Sequence, residues 1–274
     1  MSDLLANPAF QSGVAPFVVA LIVAMATLRL GWIWSGLAVM AGFFVTVVLV
    51  TDITFSPLTS TRKIILLALV TLAVGLLREI LPLKDGVVRP LLAVAAAAAA
   101  LWVLWPVLAR KGGVDAAIMG GGGALYLAWV VAAFDGLNTR RERPVAAAVA
   151  FGFGTGGGAL LGATAFLGQL GLALGAAAAG LLLVYAFLSG SRPGGWLTVP
   201  VSTVGALLGL AAVVYAGMPW VCLLLLAAVP LFARIPLPAS LPGWLAAGLI
   251  TLIAAVPAGG AVAVAWSQAG PPVY

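Results

Sequence analysis

The sequence contains no histidine and a single cysteine, Cys222. Histidine is the commonest metal ligand and the side chain best suited to general-base chemistry near neutral pH, so its absence argues against histidine-ligated haem, histidine-based metal sites and histidine catalysis. One cysteine cannot form a disulfide within the chain, and Cys222 lies in an apolar run where it is interpreted as a small buried hydrophobe. We therefore expect no metal site and no cofactor.

Charge is also scarce. Charged residues make up 7% of the 274 residues and hydrophobic residues 64%, whereas an average soluble protein is about 25% charged. The mean hydropathy of +1.23 is correspondingly high. A soluble fold of this size needs a polar exterior that this composition does not provide. The chain is therefore predicted to be an all-α, polytopic integral membrane protein. It is expected to form a single membrane domain over residues 1–274 and to contact membrane lipids.

The acidic residues are especially few, with seven Asp and Glu against thirteen Lys and Arg. The basic residues are scattered between apolar runs and form no basic face, so nucleic-acid binding is not expected. The sequence contains no cluster of metal ligands, no serine–histidine pair, no phosphate-binding loop and no carboxylate pair close in sequence. On these grounds the chain is not expected to be an enzyme.

Ten apolar runs are long enough, or nearly so, to cross a membrane. They cover residues 10–28, 31–51, 64–81, 88–108, 113–134, 145–167, 170–188, 197–217, 218–233 and 241–266. The breaks near residues 29–30 and 217–219 are very short, so counts of eight or nine spans are alternatives. No connector is long enough to form a soluble domain, and the sequence predicts one helical bundle.

The distribution of basic residues predicts the orientation of the bundle. With ten spans, the odd-numbered connectors and their flanks contain nine Lys and Arg, and the even-numbered connectors contain four. The positive-inside rule then places the odd-numbered connectors in the cytoplasm. Both termini are predicted to face outward, and the expected location is a bacterial inner membrane.

Ten spans divide into halves of five, residues 10–134 and 145–266, joined by residues 135–144. An odd number of spans in each half is typical of inverted-repeat transporters. The segment from Pro106 to Arg110 is echoed by the segment from Pro230 to Arg234, in the corresponding fourth and ninth spans. Chance self-similarity in a chain so rich in Ala, Leu, Gly and Val is the alternative explanation.

Glycines cluster inside the fifth and sixth spans. They indicate either close helix packing, which the Gly158-x-x-x-Gly162 spacing favours, or broken helices that line a solute path. On the second interpretation we select a set of candidate binding residues from the fifth, sixth, eighth and tenth spans. The set is Gly121, Gly122, Thr155, Gly156, Ser202, Thr203 and Gly259. Isolated Ser and Thr in spans are otherwise expected to bond to a carbonyl of the preceding turn.

Arg78 and Glu79 lie near the end of the third span. One interpretation is an interfacial cation with a nearby carboxylate, and the other is a gate or a polar contact for a solute.

Three functions remain open. The first is a transporter or permease for a small neutral or apolar solute, and the second is a non-catalytic accessory or scaffold subunit that associates with other membrane subunits or with itself. The third is a lipid-modifying membrane enzyme that would use Arg192, Arg78 and Glu79. Transport predicts a cavity near mid-membrane between the fifth, sixth and tenth spans, and tight packing of the glycines would count against it.

Overall fold

The computed structural model describes residues 6–28, 31–51, 56, 58–81, 84–188, 193–238 and 240–268, and these contain helices and no strand. We number the α-helices in chain order. They are α1 (Ala15–Leu28), α2 (Leu37–Val50), α3 (Ser60–Ile80), α4 (Asp85–Leu108), α5 (Gly113–Asp135), α6 (Glu142–Gly162), α7 (Ala165–Phe187), α8 (Gly195–Ala216), α9 (Trp220–Phe232) and α10 (Gly243–Gln268). A π-helical turn, Phe10–Val14, leads into α1, and a 3-10 helix, Trp32–Gly36, leads into α2.

Local signals explain where several helices begin and end. Thr59 caps α3 by accepting a hydrogen bond from the Arg62 backbone N–H at 3.4 Å, and Thr164 caps α7 in the same way. Between α8 and α9, Gly217 adopts a φ of 80°, a conformation that favours glycine. The predicted tight break at residues 217–219 is therefore a helical hairpin, whereas the predicted break at residues 29–30 lies outside the described residues.

Seven described helices are long and apolar enough to span a membrane, which confirms the multi-pass membrane class. They are Phe10–Leu28, which includes the π-helical turn, together with α4, α5, α6, α7, α8 and α10. The apolar helices Trp34–Val50 and Trp220–Phe232 are shorter, and α3 carries charges near both ends. From Ser60 to Arg78, α3 is about 27 Å long, close to the thickness of a hydrocarbon core.

Contacts between helix ends define two faces of the bundle. On the first, which we call the arginine face, Arg78 near the end of α3 pairs with Asp135 at the end of α5, and Arg234 after α9 bonds the Ala133 carbonyl. On the opposite face, which we call the hydroxyl face, Ser60 at the start of α3 bonds Tyr215 near the end of α8. Consecutive helices therefore run in opposite directions.

The first and last helices fit the same alternation. Gly36, just before α2, packs against the start of α8 on the arginine face. The Gln11 side chain donates to the Leu49 carbonyl, so the start of the first helix lies beside the end of α2 on the hydroxyl face. Gly243 at the start of α10 packs against Arg141. The first helix thus begins, and α10 ends, on the hydroxyl face.

The centre of the bundle is formed by α6, α7 and α8, and α8 is almost completely enclosed. Gly152 and Gly156 of α6 lie directly against the backbone of α7, near Gly175 and Gly171. A methyl group on Gly156 would overlap the backbone of Leu172. This α6–α7 seam is the close packing that small residues permit between membrane helices.

The two predicted halves share several helix–helix contacts but differ in the contact between their first and fifth helices. In both halves the first helix packs on the second and the fourth on the fifth, and α3 packs along its counterpart α8. The first and fifth helices of the second half, α6 and α10, share a large interface, but no comparable interface joins α1 and α5. The inverted repeat therefore stays a prediction.

Candidate functional site

The arginine face contains a charged cluster built around Asp135, the last residue of α5. Its side chain has no exposed surface, and each carboxylate oxygen faces one guanidinium. The Nε of Arg78 lies 3.3 Å from Oδ1, and the Nε of Arg89, near the start of α4, lies 3.2 Å from Oδ2. A buried carboxylate is tolerated only when it is paired and hydrogen-bonded in this way. Asp135 therefore joins α3, α4 and α5.

The same two arginines also face Asp85, the first residue of α4. Its Oδ1 lies 2.5 Å from Nη2 of Arg78, and its Oδ2 lies 3.6 Å from Nη2 of Arg89. The Asp85 side chain is 60% exposed. The buried carboxylate thus holds the Nε groups of the arginine pair, while the exposed carboxylate lies against their Nη2 groups.

Two further charged residues tie neighbouring helices to this cluster. Arg234 donates through Nη2 to the Ala133 carbonyl at 2.8 Å, satisfying one of the last carbonyls of α5. Burial, and then the positive charge of Arg89, lower the pKa of Arg234. Glu79 accepts a hydrogen bond from the Gly195 backbone N–H at the start of α8, where the helix dipole favours a negative charge.

Arg78 and Glu79 are therefore adjacent in sequence but bind different helices. Arg78 links α3 to α4 and α5 through the two aspartates, and Glu79 links α3 to α8. The structure places both residues on the arginine face, among other charged side chains.

A cavity of about 260 Å³ opens beside the cluster, and we call it the charged cavity. Its wall consists of Arg78, Glu79, Asp85, Arg89, Asp135, Asn138, Thr139 and Gly194. The Asn138 Nδ2 lies 3.4 Å from the Thr198 hydroxyl, and its Oδ1 is buried without a partner. The Asn138 Oδ1 is therefore able to accept a hydrogen bond from a bound molecule.

A second cavity, of about 200 Å³, lies beside the first, between α3 and α4. Its lining is apolar except for Arg78, which lines both cavities; the other residues are Val74, Leu77, Leu81, Val88, Leu91, Leu92 and Ala95. We call it the α3–α4 groove. Leu77 and Leu91 are more than half exposed, so the groove is open to the surrounding lipid.

The hydroxyl face contains a third cavity, of about 410 Å³, at the opposite ends of α3 and α8. We call it the hydroxyl cavity, and it is lined by Thr59, Ser60, Thr61, Thr164, Phe166, Leu167, Ala211, Tyr215 and Ala216. The Tyr215 hydroxyl donates to the Val103 carbonyl of α4 at 2.8 Å. Hydroxyl groups of α3 and α8 thus meet α4 at this end.

Lys63 joins α3 to α4 one turn further in. Its Nζ donates to the Trp102 carbonyl at 2.9 Å and lies 5.1 Å from the centre of the Trp102 ring. Pro106 has no N–H and cannot bond the Trp102 carbonyl within α4. Lys63 therefore satisfies the carbonyl that the proline leaves unpaired.

A fourth cavity, of about 440 Å³, lies between α5 and α9 on the outer surface of the bundle. It is apolar and is lined by Gly122, Leu125, Tyr126, Trp129, Trp220, Leu223, Leu224 and Ala227.

The structure does not bring together the glycines selected as candidate binding residues. Gly121, Gly122 and Gly259 are exposed on the outer surface, with nothing within 4 Å of the position where a Cβ would lie. Gly156 lies in the α6–α7 seam. Of these, Gly122 lines one of the four cavities, the fourth.

The polar members of that set are buried inside the bundle. Ser202 donates to the Thr198 carbonyl at 2.5 Å, and Thr203 donates to the Val199 carbonyl at 2.8 Å, as expected for isolated hydroxyls in a span. Thr155 is fully buried and its hydroxyl has no partner. None of the three lines the four cavities described, and none of those cavities lies between α5, α6 and α10.

Sequence reasoning did not select Asp135, Arg89, Asp85 or Lys63 as site residues. The first three lie at the end of α5 or the start of α4, on the predicted cytoplasmic side, and this shared side was the available signal. Arg192, invoked for a lipid enzyme, lies outside the described residues.

No protein-family model matches the chain, and no curated protein sequence is significantly similar to it. The function of the chain must therefore be inferred from the geometry of these sites.

Proposed function

We propose that the chain is a multi-pass transport protein of the permease type for a small neutral or apolar solute, which moves along α3 where it packs against α8. The supporting observation is that polar cavities lie at opposite ends of this antiparallel helix pair. The charged cavity lies beside Arg78 and the hydroxyl cavity beside Ser60, about 27 Å apart along α3. Alternating access requires openings of this kind on both membrane faces.

The contacts that hold α3 favour movement. Its ends are tied to α4 by exchangeable polar contacts, Arg78 to Asp85 on one face and Lys63 to Trp102 on the other. The α3–α4 groove separates the two helices between those contacts. The α6–α7 seam, by contrast, packs backbone against backbone. We infer that α6 and α7 form a fixed frame, and that α3 and α4 shift beside it when Glu79 releases the backbone N–H of Gly195.

The route between the cavities favours a neutral solute. No charged residue occurs on α3 between Lys63 and Arg78, and the hydroxyls of Ser202 and Thr203 on α8 are bonded within their own helix. A charged solute at membrane depth would need a counter-charge or several free polar groups. The proposal includes ten crossings in a bacterial inner membrane, with the arginine face in the cytoplasm and both termini outside.

The echo around Pro106 and Pro230 supports the 5+5 repeat within this proposal. The carbonyl three residues before each proline accepts a hydrogen bond from another helix, Val103 from Tyr215 and Ala227 from the Trp129 indole at 3.0 Å.

Cysteine accessibility tests the route. Thr71 is buried on α3, on the same helical stripe as Gly75, which packs against Gly195 of α8. In a Cys222→Ala background, Thr71→Cys is expected to react with a small water-soluble thiol reagent in both right-side-out and inverted vesicles. The matched control is Ala177→Cys, a buried α7 position packed against Gly42, which is expected to stay unreactive. A Thr71→Cys variant as unreactive as the control from both sides would contradict the proposed route.

One observation favours the second candidate, an accessory or scaffold subunit. Gly152 and Gly156 lie in a tight seam instead of lining a cavity, while Gly121 and Gly122 lie open on the outer surface, where small residues allow another membrane helix to approach closely. An unreactive Thr71→Cys, together with co-purification of a second membrane subunit that Gly121→Leu abolishes, would establish this function instead.

A further inference from the structure

The charged cavity and the α3–α4 groove adjoin each other at Arg78, and we infer that they are two compartments of one amphiphilic site. Arg78 lines both, so a polar compartment of about 260 Å³ leads into an apolar compartment of about 200 Å³. The apolar compartment opens to the surrounding lipid between Leu77 and Leu91. A ligand that fills both must have a small polar head and an apolar chain.

The arrangement of the two arginines determines the charge of that head. Asp135 holds the Nε groups of Arg78 and Arg89 from the buried side, so their Nη2 groups point toward the exposed Asp85. Two guanidiniums aligned in this way match the oxygens of a phosphate. Asp85 occupies the place of such an anion, and because its side chain is 60% exposed, an external anion can displace it while Asp135 keeps the arginines in position.

Other groups at the cavity favour an anionic head with further polar atoms. Besides burial, the positive charge of Arg89 lowers the pKa of Arg234. Glu79 and Asp135 also face the cavity, so an anionic head restores the charge balance by taking the place of Asp85. The Nδ2 of Asn138 lies against the Thr198 hydroxyl. Its buried Oδ1 is left to accept a hydrogen bond from a hydroxyl of the head group.

We propose that this site binds an anionic phospholipid, with the phosphate between Arg78 and Arg89 in the place of Asp85 and one acyl chain in the α3–α4 groove. A lipid fits better than free phosphate because the groove continues directly from the arginines into the bilayer. Basic pockets between membrane helices on the cytoplasmic side are a recognised type of acidic-lipid site. The acyl chain lies in the groove on the α4 side of α3, whereas the head group occupies the charged cavity that also forms one opening of the proposed solute route.

The test measures lipid binding to the purified full-length protein by native mass spectrometry, with phosphatidylglycerol and phosphatidylcholine of identical chains. Both lipids carry the phosphate, but the choline cation of phosphatidylcholine is repelled by the arginines, so phosphatidylglycerol is expected to bind more tightly, by about tenfold. Asp85→Asn removes the competing carboxylate and is expected to tighten phosphatidylglycerol binding severalfold, whereas Arg89→Gln is expected to abolish the preference.

A groove variant separates a lipid site from a free-anion site and does not alter the ion cluster. Ala95→Trp fills the α3–α4 groove and is expected to weaken phosphatidylglycerol binding, while the control Ala117→Trp, an exposed position on α5, is expected to leave it unchanged. Equal binding of both lipids, or an unchanged affinity in Asp85→Asn, would overturn the proposal. So would competition by inorganic phosphate that is as strong in Ala95→Trp as in the wild type, since the ligand would then be a free anion.

Discussion

Asp135→Asn removes the buried negative charge that holds Arg78 and Arg89 together. The substitution keeps the size of the side chain and one acceptor oxygen, but neither guanidinium retains a buried counter-charge. The ends of α3, α4 and α5 are expected to separate on the arginine face, because Asp135 is the residue on which their contacts converge. Stability is therefore the quantity to measure.

The magnitude follows from the exposure of the three side chains. Removing one partner of a fully buried ion pair costs about 3–5 kcal/mol. Here Asp135 is fully buried and Arg78 is 17% exposed, but Arg89 is 42% exposed and regains water. Asp85 also remains as a partner for both arginines. We therefore expect a loss of about 2–3 kcal/mol, at or just below the lower end of that range.

The assay is reversible unfolding in mixed micelles with a stepwise increase of sodium dodecyl sulfate. The matched control is Asp85→Asn, which removes the exposed carboxylate from the same two arginines and is expected to cost less than about 1 kcal/mol. Equal losses of unfolding free energy in Asp135→Asn and Asp85→Asn would show that the stability does not depend on the burial of Asp135.

Two further predictions concern packing and backbone pairing. Gly156→Ala is expected to lower the free energy of unfolding by about 1–3 kcal/mol, because its methyl group overlaps the α7 backbone. The control Gly121→Ala, on the open surface, is expected to be neutral or slightly stabilising. Equal thermal stabilities of the two variants would show that α6 and α7 do not pack this closely. Lys63→Met is expected to cost about 1–3 kcal/mol by leaving the Trp102 carbonyl buried and unpaired. The same change is expected to cost less in a Pro106→Ala background, where α4 can bond that carbonyl itself. Additive effects in this double-mutant cycle would show that Lys63 does not replace the missing bond.

The class of the protein could be predicted from the sequence because membrane helices need apolar residues and few charges, and both are visible in composition. The helix boundaries followed from short polar breaks, including the hairpin at Gly217. The common side of Arg78, Arg89 and Arg234 followed from the alternation of the predicted spans, which places odd-numbered connectors on one side of the membrane. These features depend on position along the chain and not on the rotation of a helix about its axis.

The pairings could not be predicted, because they depend on that rotation. An apolar helix without a polar stripe does not reveal which side is buried, so nothing in the sequence showed that Asp135 turns inward while Asp85 stays exposed. For the same reason, Gly156 and Gly121 were indistinguishable as glycines within spans, although one lies in a seam and the other on the outer surface.

The α6–α7 seam contains residues that tolerate substitution poorly although they carry no chemical group. Catalytic and ligand-binding residues are constrained by the functional group they carry. Here the constrained residues are Gly152, Gly156, Gly171 and Gly175, because any side chain would overlap the neighbouring helix. Every single-nucleotide change that replaces glycine by another amino acid introduces a larger residue. These four glycines are therefore expected to change more slowly in evolution than the exposed charged residues of the loops. The slowest-changing part of the chain would then be one without any reactive side chain.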